Sequence, residues 1–102
     1  MGNTVKFSSL GQVAITRGVT DRITEDELYN NFVEESLKRY VSGDWGDLGE
    51  ADKALNDWAI NPENQPERVL ARYNYPGDKT RDIFIITEWD RSVTTILHPS
   101  EY

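Results

Sequence analysis

Four side chains of this 102-residue sequence could act together in chemistry: Asp44, Asp90, Arg91 and His98. A carboxylate and an imidazole can transfer protons, and a guanidinium can hold an anionic group. His98 is the single imidazole, and as a base it would need a hydroxyl such as Ser92 beside it. Residues of an extended strand are spaced by about 3.3 Å, which keeps these two apart unless the chain folds back. We therefore predict no catalytic residue, and we keep a small enzyme or ligand-binding module around the four side chains as an alternative function.

Segment 42–48, with the sequence SGDWGDL, places two carboxylates in a glycine-rich connection. Asp44 and Asp47 could approach a cation, but the calcium-loop pattern Asp-x-Asp-x-Asp-Gly is absent and the chain has no cysteine. Capping and turn formation explain both aspartates without an ion. We predict no metal and no cofactor. Trp45 is expected to fold inwards, and in the alternative function Asp44 and Trp45 would contribute to the ligand site.

A second unusual tetrad, Glu88-Trp89-Asp90-Arg91, interrupts the most apolar part of the chain. β-Branched runs flank it on both sides, which predicts a hairpin. Asp90 can accept a hydrogen bond from the amide two residues on, Arg91 can pair with a carboxylate, and Trp89 can pin the turn onto the core. These structural roles explain the tetrad without a ligand, and a ligand or partner site containing Asp90 and Arg91 stays open.

The first half of the chain predicts one strand and two helices. Residues 10–17 alternate as a strand with Val13 and Ile15 on one face, and Gly18 allows a turn after it. Thr24 and Glu27 form a Thr-x-x-Glu capping box, which predicts that the first helix begins there. Residues 1–9 show little pattern and are expected to be disordered.

The second helix should be capped by the Asp-x-x-Glu pattern of residues 47–50 and end before Pro62. Its core-facing stripe is predicted to be Leu48, Ala51, Leu55 and Trp58. Residues 68–75 alternate as a strand, and short turns join it to the two strands of the hairpin. The sequence thus predicts one α+β domain, residues 1–102, in the order β-α-α-β-β-β. We expect an antiparallel sheet of three to four strands with two helices packed on one face.

The net charge of −7 is concentrated in one part of the chain. Residues 21–57 contain eleven carboxylates and four bases, whereas the remainder contains seven of each. Such a region repels nucleic acid phosphates and attracts basic surfaces, which predicts a basic protein partner and no direct binding of nucleic acid. Solubility alone is the alternative explanation of the excess charge. The charge distribution leaves the oligomeric state open. The candidate partner-binding residues are Glu34, Glu35, Glu50, Asp52 and Asp57.

The chain begins without a signal peptide pattern, and its longest apolar run is too short to span a bilayer. Together with the absence of cysteine, this indicates a soluble cytoplasmic protein without a membrane partner.

Segments 42–48 (SGDWGDL) and 86–97 (ITEWDRSVTTIL), followed by Pro99, Glu101 and Tyr102, resemble a family of roughly hundred-residue bacterial proteins. These proteins are found on plasmids, integrated elements and phages, often under the name plasmid-related protein. Segments 10–13, 52 and 56–57 fit the same pattern, whereas the long segment 21–27 and His98 depart from it. The resemblance implies no catalytic residue. It implies action against host defence or regulation of the element, and we expect an inhibitor of anti-CRISPR or anti-restriction type.

Overall fold

The computed structural model describes residues 5–102, and any expectation for residues 1–4 lies outside them. The elements in chain order are β1 (Gln12–Ile15), α1 (Arg17–Glu25), α2 (Glu27–Val41), α3 (Glu50–Ile60), β2 (Val69–Tyr73), β3 (Ile83–Thr87) and β4 (Val93–Leu97). Two short 3-10 turns follow β2 and β4, at Lys79–Arg81 and Pro99–Glu101. The predicted α+β class is confirmed.

The four strands form one sheet in the order β1-β4-β3-β2. Strands β2, β3 and β4 are antiparallel neighbours, as their short connections predict, but β1 runs parallel to β4. The expectation of a purely antiparallel sheet is therefore wrong, and the sheet is mixed. A hairpin forces antiparallel pairing, whereas the long path from β1 to β4 passes through three helices and leaves either direction open.

The helix α1 is an element that the sequence interpretation missed, so the described chain has three helices and not two. Gly18 lies in its first turn and does not form the predicted turn. The carboxylate of Glu101 accepts a hydrogen bond from Thr16 Oγ1 at 2.8 Å and lies 2.7 Å from the point where a Cβ of Gly18 would stand. Burial alone would raise the pKa of Glu101, but hydrogen bonds from the His98 amide and from Thr16 lower that pKa below its usual value.

The capping box predicted at Thr24 is also wrong, because Thr24 lies inside α1 and its hydroxyl donates to the carbonyl of Asp21. The helix α2 begins at Glu27, and Asp26 is its N-cap. The Asp26 carboxylate accepts from the amides of Leu28 and Tyr29 at 3.0 and 3.4 Å. The helix therefore starts with a side-chain cap two residues later than expected.

One core cluster joins all three helices to one face of the sheet. The alternation predicted for β2 is confirmed, because Val69, Ala71 and Tyr73 are fully buried. Phe7 is 4% exposed and its amide donates to the carbonyl of Val41, so this residue packs in the core.

A row of hydroxyl groups crosses this core. Tyr40 Oη lies 2.7 Å from Thr87 Oγ1, which lies 2.7 Å from Thr94 Oγ1. Thr94 donates its single hydroxyl hydrogen to the carbonyl of Leu10 at 2.7 Å. Thr94 must therefore accept from Thr87, and Thr87 must accept from Tyr40. The row runs in one direction and leaves no hydroxyl hydrogen without an acceptor.

Candidate functional site

The connection between α2 and α3 is held by the first candidate residue, Asp44. Gly43 and Gly46 have φ angles of +82° and +76°, which glycine adopts without strain. The Arg39 guanidinium donates twice to the Asp44 carboxylate, at 2.7 and 3.2 Å, and the amide of Gly46 donates to it at 3.0 Å. The hydrogen bond from Arg39 is the main reason that the pKa of Asp44 is lowered. Asp44 is thus committed to a turn and an ion pair.

Trp45 folds inwards as predicted and is 2% exposed. Its ring packs edge-on against Tyr40 and Phe7, with ring centroids 5.5 and 6.3 Å away. Its Nε1 donates to the carboxylate of Asp57 at 2.8 Å. The indole is therefore part of the core, and one predicted partner-binding residue, Asp57, satisfies its N–H group.

Asp47 does not cap α3, whose N-cap is Gly49. Instead the Asp47 amide donates to the carbonyl of Arg72 at 2.7 Å, and the Asp47 carboxylate accepts from the amide of Asn74 at 2.9 Å. The predicted cap is therefore wrong. The residue fastens the connection to the outer side of β2, a contact between distant parts of the chain.

Arg91 lies at the hairpin turn with a φ angle of +61°, and its predicted pairing with a carboxylate is wrong. The guanidinium donates to the backbone carbonyls of Glu67 at 2.7 Å, Ala59 at 2.9 Å and Glu88 at 3.3 Å. It also lies over the Phe7 ring, 5.2 Å from the centroid. The side chain therefore fastens the end of α3 and the start of β2 to the hairpin.

Of the other residues of the hairpin turn, Asp90 has its predicted role and Trp89 does not. Asp90 accepts from the amide of Ser92 at 3.0 Å, as predicted, and hydrogen bonds from Ser92 lower the pKa of this carboxyl. Trp89 is 63% exposed and does not pin the turn onto the core. The Asx turn needs no aromatic contact to hold its shape.

His98 is buried, 5% exposed, at the end of β4. Its Nδ1 lies 2.9 Å from the carbonyl of Asp82, which can only accept, so Nδ1 carries the proton. Among residues 5–102, Nε2 has no hydrogen-bond partner. The ring is therefore held inside the fold by a hydrogen bond to the backbone.

The four residues of the alternative site do not come together. Tyr73, the last residue of β2, donates its hydroxyl to the carbonyl of Asp44 and pairs with Ile83, the first residue of β3. The turn with Asp90 and Arg91 lies beyond the other end of β3, about 13 Å along the strand. A depression of about 420 Å³ includes Arg91, and its lining contains neither Asp44 nor His98.

The five carboxylates predicted to bind a partner lie on α2 and α3, and all are exposed. Glu35 pairs with Lys38 at 3.3 Å and Glu50 with Lys53 at 3.8 Å, each one helical turn apart on the surface. Such pairs are weak and leave the charges open to solvent. The remaining carboxylates differ in their contacts: Glu34 accepts from the side-chain amide of Asn30, Asp57 accepts from Trp45, and Asp52 has no ion pair within residues 5–102.

Five of the seven arginines bind other groups within residues 5–102. Three are in ion pairs, one binds backbone carbonyls and one binds a tyrosine hydroxyl. These five are Arg39, Arg72, Arg81, Arg91 and Arg68. Residues 27–60 contain eight carboxylates and three bases, so the α2–α3 region keeps a net charge of −5.

The helix α3 turns its most apolar stripe towards solvent, which sequence reasoning did not anticipate. Leu55 is 66% exposed and Trp58 48% exposed, whereas Asn56 and Ala59 are buried. The side-chain amide of Asn56 donates to the carbonyl of Leu70 at 2.8 Å and accepts from its amide at 3.4 Å. This bond to the edge of β2 fixes the rotation of the helix. The predicted core-facing stripe is therefore wrong for Ala51, Leu55 and Trp58, whereas Leu48 packs against the core as predicted.

Replacement of Leu55 by glutamine should therefore change the free energy of unfolding by no more than about 0.5 kcal/mol. If Leu55 were in the core, the cost would be at least about 2 kcal/mol. Asn56→Ala is the matched change on the buried side, and it should cost about 1–2 kcal/mol by leaving backbone groups of Leu70 unpaired. Urea unfolding of the two variants checks this order, and a greater loss from Leu55→Gln would contradict the observed rotation.

Comparisons of the chain with protein-family models, with curated proteins and with solved structures found no match. Within residues 5–102, none of the helices is long and apolar enough to cross a membrane. The same part of the chain contains no group of three or more acidic or histidine side chains that could hold a metal ion.

Proposed function

We propose that the protein belongs to a mobile genetic element and inhibits a basic, nucleic-acid-handling host protein by binding to it in the cytoplasm. Anti-CRISPR or anti-restriction action is the concrete form of the proposal. The observation that carries it is the outward face of α3, formed by Glu50, Asp52, Leu55 and Trp58, which we call the α3 face. It combines exposed carboxylates with a large exposed aromatic ring.

The α3 face has the composition of a protein-binding surface. Leu55 and Trp58 line a shallow depression of about 500 Å³ together with Glu67 and Arg68. Buried tryptophan and arginine contribute most strongly to binding when a partner excludes water from them, and the surrounding charges steer the approach. A partner with basic side chains around an apolar one would match this face. Carboxylates there could occupy the positions that nucleic acid phosphates take on such a partner.

The carboxylates of α2 supply a second source of attraction. Glu34 and Glu35 are exposed on a helix that packs on β3, whereas α3 packs on the neighbouring strand β2. Charges outside the direct contact raise the association rate at low salt. At physiological ionic strength, screening by salt limits their reach to about 8 Å. We therefore expect α3 to determine the affinity and α2 to contribute mainly to the rate.

The proposal predicts that expression of the protein protects a targeted plasmid in cells with an active CRISPR or restriction system. The variant Glu50→Lys/Asp52→Lys should lose this protection by at least about tenfold in transformation efficiency, the effect of about 1.4 kcal/mol of binding energy. A control variant, Glu25→Lys/Glu63→Lys, changes the net charge equally at exposed carboxylates outside the α3 face. It should retain protection, and circular dichroism should show both variants folded.

Two results would contradict the proposal. The inhibitory function would be contradicted if the protein protected the plasmid against none of a broad panel of host CRISPR and restriction systems. Equal loss in both charge variants would show that total charge matters and the α3 face does not. Trp58→Ser separates the apolar contribution from the charge, because it should weaken protection with little change in salt dependence.

A further inference from the structure

The two edges of the sheet are treated differently by the fold. The outer edge of β2 is closed, because Asn56 binds both backbone groups of Leu70 and the Asp47 amide binds the carbonyl of Arg72. At the other edge, β1 pairs with β4 on one side, and no strand of residues 5–102 pairs on its other side. All four residues of β1 are exposed.

The direction of the free hydrogen-bonding groups of β1 follows from its pairing. The Gln12 amide donates to Ser92 at 3.1 Å and the Thr16 amide donates to Ile96 at 3.0 Å, so even-numbered residues point towards β4. In a parallel ladder the alternate residues point the other way. The backbone N–H and C=O groups of Val13 and Ile15 therefore point out from the open edge.

Apart from its shortness of four residues, this edge lacks the features that usually prevent pairing with another chain. Exposed edge strands commonly carry a lysine, a proline or a bulge. The sequence of Gln12–Ile15 is QVAI, with no charge and no proline. The side chains of Val13 and Ile15 are 42% and 44% exposed, so a neighbouring strand would cover apolar surface as well as backbone.

The charge distribution indicates which chain can approach. Residues 5–26, which contain β1 and α1, hold three carboxylates and three bases and are neutral overall. Residues 27–60 carry −5 and residues 61–102 carry −2. A second copy of this acidic chain meets the least repulsion on its neutral side, whereas a basic partner is attracted to α2 and α3.

We propose that two copies of the chain pair through antiparallel β1 strands and form a continuous eight-stranded sheet. With the two-fold axis at Ala14, each Val13 lies opposite the Ile15 of the second copy. Both outward N–H and both outward C=O groups of each strand are then bonded, giving four hydrogen bonds across the axis. Ala14 of one copy lies opposite Ala14 of the other. The two form a non-hydrogen-bonded pair, in which the Cα atoms lie about 4.5 Å apart.

The register can be tested with single cysteines, because the chain has none of its own. A Cα separation of about 4.5 Å permits a disulfide, so Ala14→Cys should form a covalent dimer under mild oxidation. Gln12→Cys is the matched control, since its equivalent in the second copy lies about 13 Å away along the strand. It should stay largely monomeric on a non-reducing gel. Equal cross-linking of the two variants would overturn the proposed register.

The association itself is tested by sedimentation of the wild-type chain over a range of concentrations. We expect a monomer–dimer equilibrium, and Val13→Pro should raise the dissociation constant by at least about tenfold because it removes an outward donor without breaking the ladder to β4. If Val13→Pro fails to fold, Val13→Lys replaces it and should weaken dimerisation in the same way. A monomeric wild type at all concentrations, or a folded variant that dimerises equally well, would overturn the proposal. Neither result bears on the α3 face.

Discussion

Replacement of Arg91 by alanine is expected to lower the free energy of unfolding by about 3 kcal/mol, since hydrogen bonds from a charged group contribute about 1.5–3 kcal/mol each and partly overlap. The guanidinium donates to the carbonyls of Glu67, Ala59 and Glu88, and it covers the ring of Phe7. Arg91→Lys should recover less than half of the loss, because an ammonium group cannot reach three carbonyls in a planar arrangement. Urea unfolding followed by tryptophan fluorescence measures both variants.

Arg68→Ala is the control for this prediction. Arg68 is exposed and donates to the hydroxyl of Tyr102, so its loss should cost no more than about 0.5–1 kcal/mol. If Arg91→Ala proved as stable as Arg68→Ala, water would satisfy the three carbonyls equally well. Arg91 would then again be a candidate for binding a ligand, as the sequence interpretation allowed.

Local patterns predicted the C-terminal half of the fold well. Val69, Ala71 and Tyr73 alternate with partly exposed residues, and this period of two identified the buried face of β2. The Asx turn at Asp90 follows from residues that are neighbours in sequence. The glycines around Trp45 likewise indicated a tight connection with the ring inside. The period of β2 and the Asx turn depend on residues close in sequence, where propensity and turn chemistry apply. The buried position of Trp45 also depends on contacts with Phe7 and Asp57.

The wrong predictions depend on contacts between distant residues. Helix α1 begins beside Glu101, which lies 85 residues from its partner Thr16. The rotation of α3 depends on the amide of Asn56, which bonds Leu70 across 14 residues. A helical projection of α3 places Leu55 with the apolar residues, and the pattern alone cannot show that an amide occupies the buried side. Tertiary contacts here override local pattern.

The candidate site likewise combines features that the sequence predicts with features that depend on tertiary contacts. The excess of carboxylates is visible in the sequence, because net charge does not depend on the fold. That Asp57 satisfies an indole N–H, and that Asp52 has no ion pair among residues 5–102, depends on the packing of α3. The α3 face is identified by an apolar stripe that faces solvent in the structure. The sequence alone shows the stripe and does not show which way it faces.

The hydroxyl row in the core provides the second large effect, because its members are buried and bond to one another. Thr87 and Thr94 are fully buried, and burial raises the pKa of the Tyr40 hydroxyl, which therefore stays protonated and remains a donor. The direction of the row has a measurable consequence. Tyr40 is its first donor, whereas Thr87 is both acceptor and donor, so removal of the two hydroxyls should have unequal costs.

Thr87→Val keeps the shape of the side chain but leaves the Tyr40 hydroxyl without an acceptor and Thr94 without a donor. We expect a loss of about 2–3 kcal/mol in the free energy of unfolding, since an unsatisfied buried polar group costs about 1–3 kcal/mol. Tyr40→Phe should cost about 1 kcal/mol, because Thr87 loses only a donor to it. Thr87→Ser keeps the row and should lose about 1 kcal/mol through its missing methyl group. Urea unfolding of the three variants gives their order, and a greater loss from Tyr40→Phe than from Thr87→Val would show that the row runs in the opposite direction.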